Sequence, residues 1–134
     1  MKQRFIGIEA GGTKFVCAHG SNAQDIADRV VIPTETPEKT IPAIFNYIEA
    51  VQKKADIVGI GLGIFGPINL DPASAYCGYI TTTPKEAWRY FDMVGTVKKR
   101  FKLPVGFDVD VNAAALGEYR WGAAKNCSDF IYVT

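Results

Sequence analysis

Between Phe5 and Ala18 two short apolar runs are interrupted by one turn, and that turn restricts what the rest of the chain can build. Phe5-Ile6-Gly7-Ile8-Glu9-Ala10 reads as a strand, Gly11-Gly12 as the bend, and Thr13-Lys14-Phe15-Val16-Cys17-Ala18 as a second strand returning beside the first. Glycine has no Cβ, so the backbone can bend sharply and approach a ligand closely. The Thr13 hydroxyl, the Lys14 ammonium and the free N–H groups of such a bend suit an anion such as phosphate. An ordinary glycine hairpin fits the same stretch equally well.

The remaining elements follow from periodicity and punctuation. Ala23 to Ile32, bounded by Gly20-Ser21-Asn22 and Pro33, reads as a third strand, so the first three strands form an antiparallel meander. Ile41, Ile44, Phe45, Ile48 and Val51 recur at spacings of three and four and define the inner face of a helix. Thr36-Pro37 and Thr40 are both suitable caps for it, and Pro42 fits best in its first turn. Asp56 to Gly61 is a short buried strand, parallel to the first if the crossover has the usual hand. From Gly61 to Thr83 glycine, proline and threonine dominate, as in a loop built for a ligand. Asp92 to Phe101 is a second helix with a basic last turn, which suits the helix dipole. Val105-Gly106-Phe107-Asp108 is another strand. Asp110 to Ala124 is a third helix, with Ala113, Ala114, Ala115, Leu116, Tyr119 and Trp121 expected on its packed side. Phe130 to Thr134 reads as a final strand.

Composition narrows the function classes. The 134 residues fit one core, and 48% hydrophobic and 22% charged residues are ordinary for a globular chain. A formal net charge of +1 gives no electrostatic reason to expect nucleic acid or an anionic membrane as partner. No apolar run approaches the roughly 20 residues that cross a bilayer, and Met1-Lys2-Gln3-Arg4 leaves no room for a signal peptide. Cys17, Cys77 and Cys127 are odd in number and far apart, which points to a reducing cytoplasm rather than to disulfides or a zinc site. His19, the one histidine, is expected at the surface, with no partner beside it along the chain.

Three strand ends carry the unusual residues: Glu9 with its glycine turn, Gly63-Ile64-Phe65-Gly66-Pro67, and Asp108-Val109-Asp110-Val111-Asn112. Open α/β sheets bind ligands beyond the carboxyl ends of their strands, so Gly11, Gly12, Gly66, Asp110 and Asn112 are expected in one cleft. Gly61-Leu62-Gly63-Ile64-Phe65-Gly66 matches G-x-G-x-x-G in form only, because Pro67, Asn69, Asp71 and Pro72 follow where a helix should open. Asp110 is the leading acid–base candidate: an ionised carboxylate at a strand end could take a proton from a hydroxyl. Asp108 or Asp110 could equally cap the helix. Asn112 carries a donor and an acceptor, which suits a sugar hydroxyl or a turn.

Taken together these motifs resemble the sugar kinases of the ROK (repressor, open reading frame, kinase) family, and among them the bacterial fructokinases. Glu9-Ala10-Gly11-Gly12-Thr13-Lys14 is similar to the family's first phosphate motif. Asp110-Val111-Asn112-Ala113-Ala114-Ala115-Leu116-Gly117-Glu118 is similar to its D-x-N-x-x-A-L-x-E segment, which carries the catalytic aspartate. Gly66-Pro67 and Thr81-Thr82-Thr83-Pro84-Lys85-Glu86-Ala87-Trp88 are similar to the sugar-side loops. The resemblance implies an α/β fold of the actin-like ATPase, ribonuclease H-like type, β-β-β-α-β-α-β-α with a mixed sheet. It implies ATP-dependent phosphorylation of a hexose, fructose first, with Asp110 as general base. Gly11, Gly12, Thr13 and Lys14 would hold phosphate, and Gly66, Thr83, Pro84, Trp88 and Asn112 the sugar. Mg²⁺ would arrive on the nucleotide, with Glu9 reaching it through water.

On the same resemblance, residues 1–125 form an N-terminal kinase lobe and 126–134 begin a second lobe. A second phosphate motif, a zinc-binding histidine and cysteines, and an adenosine pocket would belong to that second lobe, so zinc is expected only if it is present. The expected assembly is a cytoplasmic homo-oligomer, a dimer, and the chain by itself is expected to be inactive. Two alternatives stand beside this: a non-catalytic sugar-binding module like the family's repressors, and a glucose or mannose kinase. The repressors carry a helix-turn-helix before the first strand, whereas here that strand starts within a few residues of Met1.

Overall fold

The computed structural model describes residues 1–134. Its elements run β1 (Gln3–Ala10), β2 (Lys14–Gly20), β3 (Ile26–Pro33), α1 (Pro37–Gln52), β4 (Asp56–Ile64), α2 (Met93–Phe101), β5 (Val105–Val109) and α3 (Asp110–Trp121), with a single 3₁₀ turn at Glu86–Trp88 before α2. The five strands form one sheet in the order β3-β2-β1-β4-β5. The meander is antiparallel, whereas β4 and β5 lie parallel to β1. This is the β-β-β-α-β-α-β-α order and mixed sheet expected from the sequence.

Strand alternation separates the two faces of the sheet. Ile6, Ile8 and Ala10 of β1 point to the same side as Ile60, Leu62 and Ile64 of β4 and Phe15 and Cys17 of β2, and all are buried. Helix α1 covers this side with Ile41, Ile44, Ile48 and Val51, and α2 adds Met93 and Val97. Each large aliphatic side chain so covered is worth about 1.5–3 kcal/mol relative to exposure. Thr36 is the N-cap of α1 and Pro37 its first residue; Pro42 lies inside the helix, later than the first turn expected for it, with its ring exposed. Asp92 caps α2 by accepting a hydrogen bond from Gly95 N at 2.8 Å, and a basic last turn of Lys98, Lys99 and Arg100 complements the dipole.

The middle of the opposite face carries only small residues. Ala18, Gly7, Gly61 and Gly106 stand in register across β2, β1, β4 and β5, and the next row toward the strand ends is Val16, Glu9, Gly63 and Asp108. Only α3 lies over this face. The chain consequently exposes 8066 Å², against roughly 6,900 Å² for a compact protein of its mass.

Three expectations are corrected here. Helix α3 has no buried residue, and Leu116, Tyr119 and Trp121 are exposed rather than packed, because no second layer lies over the apolar side of the helix. Phe130 to Thr134 is not a strand: it pairs with none of the five strands, and a strand exists only as part of a ladder. Phe130 instead stacks on Tyr119, their rings 6.3 Å apart and nearly parallel. His19 is buried rather than at the surface, since it shares its face of β2 with Phe15 and Cys17. Its partner comes from across the strands: Asp28 lies opposite in register, with Oδ2 3.5 Å from His19 Nε2, while Tyr47 Oη of α1 donates to Asp28 Oδ1 at 2.5 Å.

Candidate active site

Parallel register brings the three expected strand ends together. Ala10, Ile64 and Val109 are aligned across β1, β4 and β5, so Gly11, Phe65 and Asp110 follow at one edge of the sheet. Two inter-strand steps separate β1 from β5, placing the glycine turn about 10 Å from the start of α3. Phe65 N donates to Ala10 O at 2.9 Å and fixes the exit of β4 against the exit of β1.

The glycine turn is held from one side and open on the other. Gly11 N donates to Lys14 O at 2.9 Å, Thr34 N to Thr13 O at 3.0 Å, and Thr34 Oγ1 to Gly11 O at 2.9 Å. Neither glycine sits in the left-handed region. Gly11 is needed for proximity, since a Cβ there would lie 3.1 Å from Lys14 O. The N–H groups of Gly12 and Thr13 make no hydrogen bond within the protein, and Thr13 and Lys14 are exposed.

Asp110 is the first residue of α3, half-buried, with Oδ1 accepting the Val111 N–H at 2.9 Å. Its Oδ2 makes no hydrogen bond within the protein. The N-cap position is Val109, so neither aspartate caps the helix in the expected way. Asp108 is the more occupied carboxylate: its Oδ1 accepts Val109 N at 2.7 Å and Asn112 Nδ2 at 3.0 Å. That bond orients Asn112 and leaves its carbonyl oxygen free. The close seat of α3 depends on Gly63, where a Cβ would fall 2.7 Å from Ala113 Cβ.

Glu9, Gly63, Asp108, Asp110 and Asn112 line one groove of about 1020 Å³ on the small-residue face of the sheet. Gly11, Gly12 and Gly66 do not line it; they stand at the strand ends, Gly66 next to Val109. The G-x-G-x-x-G look-alike lies within β4 and the turn after it, and no helix opens on it.

The residues expected on the sugar side divide. Pro84 is exposed and Gly66 half-buried, but Thr83 and Trp88 are each 1% exposed. Trp88 stacks on Phe15 at 5.4 Å and its Nε1 donates to Glu35 O at 2.7 Å, so its ring props the loop from beneath instead of facing a ligand. Thr83 O accepts from Arg89 Nε at 2.8 Å and serves the same purpose. The sequence could not distinguish a loop aromatic that meets ligand from one that fills the core. Lys85, between these two props, was not singled out from the sequence. It is half-buried, with Nζ 5.9 Å from the centre of the Phe65 ring.

No three acidic, histidine or cysteine side chains converge on one point, so the chain builds no metal cage of its own. Glu9, lining the groove with Asp108 and Asp110, offers an exposed carboxylate of the kind that takes Mg²⁺, which commonly uses one or two carboxylates with the remaining shell from phosphate and water. No helix is long and apolar enough to cross a membrane.

Comparison with known proteins agrees with this fold. The profile of the ROK family matches residues 5–134. A fructokinase of Pediococcus pentosaceus is 46% identical over 127 residues, which are 95% of this chain and 43% of that protein. A fructokinase of Streptococcus mutans is 42% identical over 134 residues, all of this chain and 44% of the relative. A ROK family glucokinase from Streptomyces griseus, solved in complex with glucose and AMPPNP, superposes with a TM-score of 0.72 at 29% identity, over 92% of this chain and 38% of that one. The chain therefore spans less than half the length of the relatives it matches. The shared architecture is the actin-like ATPase fold.

Proposed function

The chain belongs to the ROK family, and from that premise we propose that it forms the base-bearing, sugar-side lobe of an ATP-dependent hexose kinase acting on fructose. The observation that carries the reading is the alignment of β1, β4 and β5, which sets a glycine turn with two free N–H groups and a free aspartate oxygen at the same ends of the strands. Asp110 Oδ2 accepts the proton of the sugar's primary hydroxyl as that oxygen attacks the γ-phosphorus of ATP; the bond to the bridging oxygen breaks and ADP leaves. A positioned base of this kind contributes about 10²–10⁴-fold. Asn112, held by Asp108, presents its carbonyl to a sugar hydroxyl beside the base. Gly12, Thr13 and Lys14 supply donors and charge to the phosphates. Glu9 would hold Mg²⁺, which when bound offsets phosphate charge.

Fructose is preferred over glucose or mannose because the relatives at 42–46% identity are fructokinases, while the glucokinase is more distant. Calorimetric titration of the chain with fructose, glucose and ATP–Mg²⁺ separately is the test. Fructose is expected to bind, and Asp110→Asn to bind it equally well. In a chain completed with the remaining part of a ROK fructokinase, Asp110→Asn is expected to lower turnover about 10²–10⁴-fold. Unchanged turnover would remove Asp110 from the role of base, and tighter binding of glucose than of fructose would reassign the substrate.

A further inference from the structure

Lys85 comes off the sugar-side loop and reaches the glycine turn. A Cβ built on Gly12 would lie 3.5 Å from Lys85 Cε and 4.0 Å from its Nζ, so the ammonium stands directly over the bend that the missing side chain leaves open. The stem is steered there by two contacts. Lys85 N donates to Thr83 Oγ1 at 3.3 Å, which ties the residue to a buried threonine, and the ammonium rests over the face of Phe65. The Phe65 ring is itself fixed edge-on against Phe15 and Trp88.

The ammonium has no anion of its own. The five ion pairs of the chain involve other residues, and Nζ donates no hydrogen bond to any protein acceptor. Beneath it the N–H groups of Gly12 and Thr13 are unused, and the Thr13 hydroxyl is exposed. A half-buried cation thus stands against a turn whose two N–H donors and exposed hydroxyl have no partner in the protein. Charge-assisted hydrogen bonds to phosphate are the strong members of their class, and backbone N–H groups at a turn make an anion-binding concavity.

We propose that Lys85 is a further phosphate-positioning residue, closing from the sugar side over a terminal phosphate group at the Gly12–Thr13 turn. This rests on the kinase reading for which phosphate it is: the γ-phosphate of the nucleotide or the new monoester of the hexose, which share the same dianionic chemistry. Because Lys85 belongs to the loop that faces the sugar, it joins the two halves of the reaction and follows the phosphoryl group as it passes to the acceptor.

The test titrates the 134-residue chain with inorganic phosphate, tripolyphosphate, fructose 6-phosphate and fructose, following the Lys85 ¹³Cε and Gly12 amide resonances. Phosphate is expected to shift both. Lys85→Gln is expected to weaken phosphate binding about 10- to 100-fold, the range for one charge-assisted bond, and Lys85→Arg to restore it within a few-fold. A Lys85-dependent gain for tripolyphosphate assigns the nucleotide as the source, and one for fructose 6-phosphate over fructose assigns the product. Phosphate that moves neither resonance overturns the proposal even if Lys85→Gln does not fold, and so does a Lys85→Gln chain that binds phosphate as the parent does. Failure of unphosphorylated fructose to bind counts against the sugar-kinase reading alone, since the phosphate titration judges Lys85 without it.

Discussion

Gly63→Ala is the perturbation most directly tied to the position of Asp110. The added Cβ would meet Ala113 Cβ at 2.7 Å, whereas carbon atoms rest at about 3.5–4.0 Å, so the first turn of α3 must lift by about 1 Å. Overpacking of this size costs about 1–3 kcal/mol. Replacing a glycine outside the left-handed region recovers about 0.4–1 kcal/mol through the unfolded chain, leaving a net loss of up to about 2.6 kcal/mol. With an unfolding entropy of about 2.1 cal/mol/K per residue, Tm should fall by up to about 9 °C. Gly106→Ala, on the same face and with nothing within 4 Å of its added Cβ, is the control and should raise Tm by about 1–4 °C. Calorimetric melts of both variants, with amide spectra to locate the shift at residues 108–114, measure the difference. The pair Gly63→Ala/Ala113→Gly should recover the clash energy, less about 1 kcal/mol for glycine in a helix. A Gly63→Ala chain that melts with or above Gly106→Ala would refute the claim that this glycine sets how closely α3 is seated.

Three further outcomes concern the cysteines, the start of α2 and Asp25. Cys77 and Cys127 are exposed while Cys17 is fully buried, its thiol pushed up to about 12 by burial; a thiol reagent at pH 8 should label two cysteines at once and the third only on unfolding. Asp92→Ala removes the N-cap of α2 and should cost about 0.5–2 kcal/mol in urea denaturation. Hydrogen bonds from Lys2 and Ser21 hold the Asp25 carboxyl well below the usual range. A folded-state value below the unfolded one stabilises the fold above about pH 4 and loses that effect as the pH falls, so Asp25→Asn should flatten the decline of Tm below pH 4.

The order of strands and helices was legible because each element carries its own period, because several are bounded by glycine or proline, and because parallel β4 follows from the hand of the crossover. The strand ends that bear Glu9, Asp108 and Asp110 were legible for the same reason. What escaped depends on neighbours distant in the chain. The apolar stripe of α3 says which side would pack, not whether anything lies against it. His19 finds Asp28 through the register of β2 with β3, and no local reading supplies that pairing. Trp88 has the composition of a ligand platform, yet its indole N–H is taken by Glu35 at the entrance to α1. Lys85 was hidden because its target, Gly12, is far from it in sequence.

The indole of Trp88 also has a kinetic meaning. By fastening the long excursion after β4 to the segment leading into α1, it holds the loop that the proposed function puts on the sugar side. On that reading, capture at this edge avoids the cost of immobilising side chains on binding, about 0.5–1.5 kcal/mol for each rotamer-rich one. Association should be limited by encounter, and release by the strength of the contacts made. The loop and the entrance to α1 are therefore a single mechanical part, so a substitution near Glu35 can alter residence time without touching the ligand.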